Sequence, residues 1–255
     1  MKYFLEHNDK KYSDKDLIDA FYQLGIKRGD ILCVHTELFK FGTPLLSRNE
    51  FLQTILNCFF EVIGQEGTLI MPTFTYSFCK NEVYDKINSK TKMGALNEYF
   101  RKQTGVKRTN DPIFSFAIKG AKEELFLKDT TSCFGENCVY EVLTKENGKL
   151  LNFGDTLSFT YFHYPEEYFG IYYRYNKIFQ GLIIDENKQI HKKQINFYVR
   201  KENLYPNEIK IKDFLISTQN YKNIIFGGDN IFISNVKQIF NSVLESFKKN
   251  QYIYL

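Results

Sequence analysis

Apolar residues recur at helical spacing in Leu17, Ile18, Phe21 and Leu24, and the preceding Ser13-Asp-Lys-Asp16 has the form of a capping box with Asp at its fourth position. The helix this predicts stops at Gly25. Residues 30–35 form a short apolar run that reads as a buried strand. Ser47-Arg-Asn-Glu50 is a second box, opening an amphipathic helix over 51–63 that ends at Gly64, and residues 67–71 are another buried strand, stopped by Pro72. Residues 74–92, rich in Tyr, Lys and Asn, read as a long loop, and loops of that length in a compact domain usually carry function or are disordered. Beyond it the pattern predicts a helix over 93–104, a strand over 114–118, a short helix over 121–127 and a strand over 149–153 ending at Gly154. From 179 to 200 apolar and polar residues alternate about Asp185-Glu-Asn-Lys188, the signature of a β-hairpin, and 211–218, 223–226 and 235–248 close the chain as helix, strand, helix. This alternation predicts an α/β fold: a single domain over residues 1–255 with a central mixed β-sheet flanked by helices and a hairpin or meander inserted in the C-terminal third.

Composition narrows the class. The 255 residues are 43% hydrophobic and 25% charged, as in ordinary globular proteins, which excludes a wholly disordered chain. The 34 Lys and Arg exceed the 30 Asp and Glu by only four, too few to imply a nucleic-acid partner but unfavourable to a polycationic ligand. Residues 1–10 lack the apolar core of a secretory signal, and the longest apolar stretches, broken by Asn57 and Glu61, fall well short of the ~20 residues of a membrane span. Five cysteines without metal-site spacing fit a reduced, cytoplasmic chain with no metal.

The chemistry rests on few residues. Of four histidines, His7 is near the terminus and His191 sits among lysines, so both read as solvated. His35 ends a buried strand, at the edge where open α/β sheets place ligands, and is as readily structural as functional. His163 is followed three residues later by Glu166, a spacing that lets a carboxylate orient an imidazole base. A bare HxxE is more often a structural histidine, and two ligands alone make a poor metal site. No P-loop, dinucleotide fingerprint or GxSxG elbow occurs, and Gly227-Gly-Asp229 reads as a hairpin turn rather than a phosphate loop.

In order along the chain, these segments resemble one family. Leu24-Gly-Ile-Lys-Arg-Gly-Asp30 leads into Val34-His-Thr-Glu-Leu38; Gly67-Thr-Leu-Ile-Met-Pro-Thr-Phe-Thr75 follows; then Met93-Gly-Ala-Leu, Arg108-Thr-Asn-Asp-Pro112 with Ser115, Phe134-Gly135, Lys149-Leu-Leu-Asn-Phe-Gly154 and Thr160-x-x-His163-x-x-Glu166. Together they are similar to the aminoglycoside 3-N-acetyltransferase family, the antibiotic acetyltransferases that lack the GNAT fold. The resemblance implies an antibiotic acetyltransferase-like fold and acyl transfer from acetyl-coenzyme A to an amine. It implies His163, Glu166 and Thr160 as catalytic residues, and cofactor contacts at His35, Thr36, Glu37, Leu38, Thr73, Phe74, Thr75, Arg108 and Ser115. The chain departs from the family pattern at Thr36-Glu37, at Asn110-Asp111, and at Pro165, which lies inside the motif and brings in Glu167 as a rival to Glu166.

The expected partner is a small-molecule amine acceptor, with no nucleic acid or membrane partner and a homodimer as a candidate assembly. Because the net charge disfavours a polycation, the leading expectation is an amino sugar linked to a nucleotide and used in surface glycan or glycoprotein biosynthesis. The alternatives are a resistance enzyme acting on aminoglycosides and a catalytically inert relative that binds acyl-coenzyme A.

Overall fold

The computed structural model describes residues 1–154, 160–201 and 204–255. A hairpin, β1 (Tyr3–His7) and β2 (Lys10–Ser13), precedes helix α1 (Asp14–Gln23), strand β3 (Ile31–Thr36), the two-residue β4 (Thr43–Pro44), helix α2 (Arg48–Ile63) and strand β5 (Thr68–Pro72). The segment read as a loop holds a 3-10 turn (Phe78–Lys80) and β6 (Tyr84–Asp85). Then come α3 (Ala95–Phe100), β7 (Lys107–Arg108), β8 (Phe116–Gly120), a 3-10 turn (Glu123–Phe126), α4 (Val139–Lys145) and β9 (Lys149–Phe153). A 3-10 turn (Thr160–Phe162) runs straight into α5 (His163–Phe169), followed by a long ribbon, β10 (Arg174–Ile184) and β11 (Ile190–Arg200). Helix α6 (Glu208–Ser217), the hairpin β12 (Lys222–Phe226) and β13 (Asp229–Asn235), and α7 (Val236–Lys249) complete the chain.

The sheet that organises these elements has seven strands in the order β12-β13-β9-β3-β5-β8-β7. Only β9, β3 and β5 are mutually parallel; the strands outside them pair antiparallel, which makes the sheet mixed. Alternate residues supply the two cores. Leu32, Val34, Leu69 and Met71 pack with Leu17, Phe21, Ile55 and Phe59 of α1 and α2. Cys33, Ile70, Ile118 and Leu150 face the other way, onto Tyr140, Leu143, Ile239 and Val243 of α4 and α7. No helix among the described residues is long and apolar enough to cross a membrane.

Local signals were right where backbone chemistry dominates. Ser13 Oγ accepts the Asp16 N–H at 3.3 Å while the Asp16 carboxylate accepts the Ser13 N–H at 2.7 Å, so the first box closes as expected. The second does not: Ser47 Oγ donates to Glu50 at 2.7 Å instead of accepting from the helix backbone, and α2 starts at Arg48. The helix expected over 93–104 shrinks to α3, held back by Gly94 at φ +109°, and the one expected over 121–127 is a 3-10 turn. The N-terminal hairpin was not anticipated. Its turn, Asn8-Asp9, has both residues at positive φ (48° and 61°), the mark of a two-residue type I′ connection.

Candidate active site

Parallel pairing of β9, β3 and β5 brings their carboxyl ends, Phe153, Thr36 and Pro72, to one edge of the sheet, the usual ligand edge of α/β sheets. Thr36 Oγ1 donates to Asn97 Oδ1 at 2.5 Å, and Asn97 Nδ2 donates to the Pro72 carbonyl at 2.8 Å, so one buried asparagine ties two strand ends to α3. The Glu37 N–H continues the ladder to the Phe153 carbonyl at 2.8 Å. Beyond this junction residues 36–39 and 92–95 line a cleft of about 420 Å³. Thr36, Glu37 and Leu38, expected from the sequence at the cofactor, therefore share one cleft.

His35 sits one residue back and is buried. Its Nε2 lies 3.2 Å from the Tyr140 hydroxyl, its Nδ1 has no partner, and burial lowers its pKa to about 4.

Thr73, Arg108 and Ser115 form a buried cluster in which each satisfies the others. Arg108 Nε donates to Thr73 Oγ1 (3.1 Å) and Ser115 Oγ (3.2 Å), its Nη2 to the Thr73 carbonyl (2.7 Å), and its Nη1 to the Ser89 and Lys86 carbonyls (2.7 and 3.2 Å). The guanidinium also lies over the Tyr84 ring at 5.2 Å. Phe74 is buried edge-on against Phe114 and Phe116, and Thr75 Oγ1 donates to the Pro112 carbonyl at 3.0 Å. These five residues thus frame the edge from behind, and none of them lines the cleft at Thr36. Arg108 shows an edge to a second cleft, of about 710 Å³, beside Lys86, Arg101 and Lys107.

His163 is the first residue of α5, and Thr160 opens the 3-10 turn that leads into it. The imidazole Nδ1 lies 3.4 Å from Glu166 Oε2. Pro165 is the third residue of α5, inside the first turn, where a backbone N–H has no acceptor within the helix, so it leaves Glu166 in place. Glu167 turns away: it accepts from Ser132 Oγ, and burial raises its pKa. Of the two carboxylates, it is Glu166 that lies beside the imidazole.

Glu166 is itself gripped from the other side. The Tyr173 hydroxyl donates to Oε1 at 2.6 Å, and Arg174 Nη2 pairs with Oε2 at 2.5 Å. Burial pushes this carboxyl up, but the imidazole, the guanidinium and the phenol together outweigh it and hold the group well below the usual carboxylate range. His163 moves down to about 4, first through burial and then through the Arg174 charge, with Glu166 pulling the other way. The ring stands among Phe134 (centroids 4.7 Å), Phe197 (6.1 Å) and Phe114 (6.2 Å). Phe134 in turn stacks on Tyr140 at 6.1 Å and 8°, so a continuous line of rings joins His163 to His35.

Tyr173, Arg174 and Tyr140 were missed in the sequence. The available signal was Arg174 itself, a lone cation in the run Phe169–Tyr175 otherwise free of charge. His191 lies at the ribbon tip, 2.8 Å from Asp185 and exposed. Among the described residues no group of three His, Cys, Asp or Glu gathers that could hold a metal ion.

This arrangement offers a buried imidazole, neutral over most of the pH range, beside an ionised carboxylate, with a line of aromatic rings joining it to His35 at the strand ends. Residues 33–248 match the family model described as aminoglycoside 3-N-acetyltransferase. The SPbeta prophage-derived aminoglycoside N(3')-acetyltransferase-like protein YokD of Bacillus subtilis (strain 168) is 25% identical over 231 residues, covering 79% of this chain and 81% of the relative. Among solved structures, AAC-IIIb in a binary complex with CoASH has a TM-score of 0.80 at 19% identity, over 93% of this chain and 97% of that one. AAC-VIa bound to sisomicin has a TM-score of 0.81 at 17% identity, over 93% and 98%.

Proposed function

Since the chain belongs to the aminoglycoside 3-N-acetyltransferase family and is thereby an acyl-coenzyme A-dependent N-acyltransferase, we propose that it acetylates an amine of an aminoglycoside-type amino sugar, with His163 as general base. The observation that carries this reading is the ionised Glu166 carboxylate 3.4 Å from Nδ1 of the His163 imidazole, which leaves Nε2, on the far side of the ring, for the acceptor. The relatives favour an aminoglycoside acceptor over the nucleotide-linked sugar expected from net charge: the YokD protein is named for that substrate class, and AAC-VIa is bound to sisomicin.

Acetyl-coenzyme A supplies an activated thioester. Its fit to this chain rests on the cleft at the sheet's carboxyl edge, which Thr36, Glu37, Leu38 and Phe39 line together with residues 92–95. His163 Nε2 accepts the proton that the amine sheds as its nitrogen bonds to the carbonyl carbon. Glu166 balances the imidazolium so formed. The same proton then passes from His163 to the leaving sulfur as the C–S bond breaks, giving amide and free thiol. Residues 1–255 act in this reading as one acyl-transfer unit, and the five unpaired cysteines suit a reducing, cytoplasmic setting.

A second reading, an amino sugar carrying a negative group such as a nucleotide, draws on the net charge of +4, although Lys86, Arg101, Lys102 and Lys107 at the larger cleft are each paired with a glutamate. Thiol release from acetyl-coenzyme A, measured against aminoglycosides and nucleotide-linked amino sugars side by side, separates the two. Turnover with aminoglycosides supports the first reading, and turnover confined to the anionic sugars replaces it with the second. Silence with both, despite coenzyme A binding, points to a relative that only binds the acyl donor.

A further inference from the structure

The Glu166 carboxylate has more partners than a base–orienter pair requires. Its Oε2 is shared: His163 Nδ1 approaches at 3.4 Å and Arg174 Nη2 at 2.5 Å, so the guanidinium holds the nearer position. Arg174 is 4% exposed, and neither its Nε nor its Nη2 has a well-aligned hydrogen-bond acceptor. Its Nη1 donates to the Tyr198 carbonyl at 2.9 Å, which pins the side chain to the neighbouring strand. Directly across the ribbon from Arg174, in register, stands Arg200, half-buried and with its own Nε unpartnered.

Two guanidinium groups thus come from facing positions of the ribbon, and Arg174 is the one that pairs with Glu166. Burying an arginine is costly unless its charge is used. Arg174 and the imidazole compete for one carboxylate oxygen, and the guanidinium charge offsets part of the field that would otherwise draw a proton onto His163.

We infer that Arg174 is a positioning residue for the acyl transfer, setting where the Glu166 carboxylate sits and how much of its charge reaches His163. The inference rests on the reading of His163 as the base. The charged and titratable groups facing the imidazole among the described residues are Glu166 from its own helix, Arg174 and Tyr173 from the start of the ribbon, and Arg200 from its end. Glu167 is turned to Ser132, and the remaining walls are the rings of Phe114, Phe134 and Phe197. Loss of Arg174 leaves Oε2 of Glu166 to the imidazole and removes a nearby positive charge, so the proton affinity of His163 rises. Below neutral pH a growing share of the base is then blocked.

The test is a histidine titration by NMR on the full-length protein carrying ¹³C-labelled histidine, with the His163 signal identified by its loss in His163→Ala. In the unaltered protein His163 titrates in the acid range. In Arg174→Gln its midpoint is expected to move up by about one pH unit or more, with Arg174→Lys in between. The acid limb of kcat/KM is expected to move with it, and kcat to fall while KM for acetyl-coenzyme A holds. A purely structural arginine would lower the melting temperature and leave the His163 midpoint where it was, which overturns the inference. Should Arg174→Gln fail to fold, Arg174→Lys decides by the same readout: an unmoved midpoint overturns the inference and a raised one supports it. The NMR midpoint needs no turnover, so failure of the acyl-transfer reading shows separately, as full activity in His163→Ala.

Discussion

Arg108 donates from Nη2 to the carbonyl of Thr73 at 2.7 Å, and Ser115 Oγ donates to the same oxygen at 2.7 Å. One carbonyl at the end of β5 therefore anchors both the guanidinium and the strand beyond it. Through Nη1 the same arginine also holds the Lys86 and Ser89 carbonyls. Arg108 is a fastener between the sheet edge and the segment leading to α3. Replacing it with Gln leaves several buried carbonyls short of a donor and is expected to cost about 3 kcal/mol or more of stability. Urea unfolding measures this. Coenzyme A affinity of the folded fraction should change little, and a loss of affinity with unchanged stability would instead make Arg108 a ligand contact.

The two adjacent carboxylates of α5 should separate cleanly. His163→Ala is expected to lower turnover by roughly 10²–10⁴-fold while coenzyme A still binds. Glu166→Gln should lose on the order of 10²-fold or more, because the imidazole is no longer oriented or balanced. Glu167→Gln keeps its bond to Ser132 and should stay within a few-fold of the unaltered protein. Steady-state rates and calorimetric coenzyme A titrations on the three variants check this. A Glu167 effect equal to that of Glu166 would contradict the assignment.

What the sequence disclosed followed the range of the forces involved. Leu17, Phe21, the Ser13 box and the Gly25 stop are local, and they placed α1 correctly; the apolar runs did the same for the three parallel strands. The segment 36–38 could be placed at the strand edge because the pairing of β3 follows from its burial on both faces. The cofactor contact at Arg108 rests on the family resemblance; that its guanidinium is buried among acceptors 7 to 35 residues away is not legible locally. Arg174 was overlooked for the same reason. Its carboxylate partner belongs to the preceding helix, and the turn that joins them is visible only in three dimensions.

His35 makes the fold sensitive to mild acid. Folded, it stays neutral down to about pH 4; unfolded, it takes a proton near 6.5, so between these values the unfolded chain binds more protons and stability rises with pH. Lowering the pH from 7.5 to 5 is therefore expected to cost about 2 kcal/mol at this one residue. His163, with a similar depression, acts in the same direction, whereas the raised carboxyls of Asp111 and Glu167 oppose it. The residue's share is read as a difference: His35→Gln should lose about 2 kcal/mol less than the unaltered protein between the two pH values. Equal losses would mean that His35 is already protonated in the folded state.

Gly154 offers the most direct test of the segment assigned to the acyl donor. It follows β9 with φ +112°, a conformation that disfavours any side chain, and a Cβ there would lie 2.3 Å from the Glu37 carbonyl oxygen. That contact is with backbone, so the strand end must yield. Gly154→Ala is thus expected to loosen the bond from the Glu37 N–H to the Phe153 carbonyl and push residues 36–39 into the cleft they line. If Thr36, Glu37 and Leu38 carry the donor, KM for acetyl-coenzyme A should rise several-fold, beyond any change in kcat, and stability should drop by about 1–3 kcal/mol. A stability loss of that size with KM unmoved would show that the donor is held elsewhere on the sheet edge. In that case the cleft at Thr36 would be a feature of the fold alone.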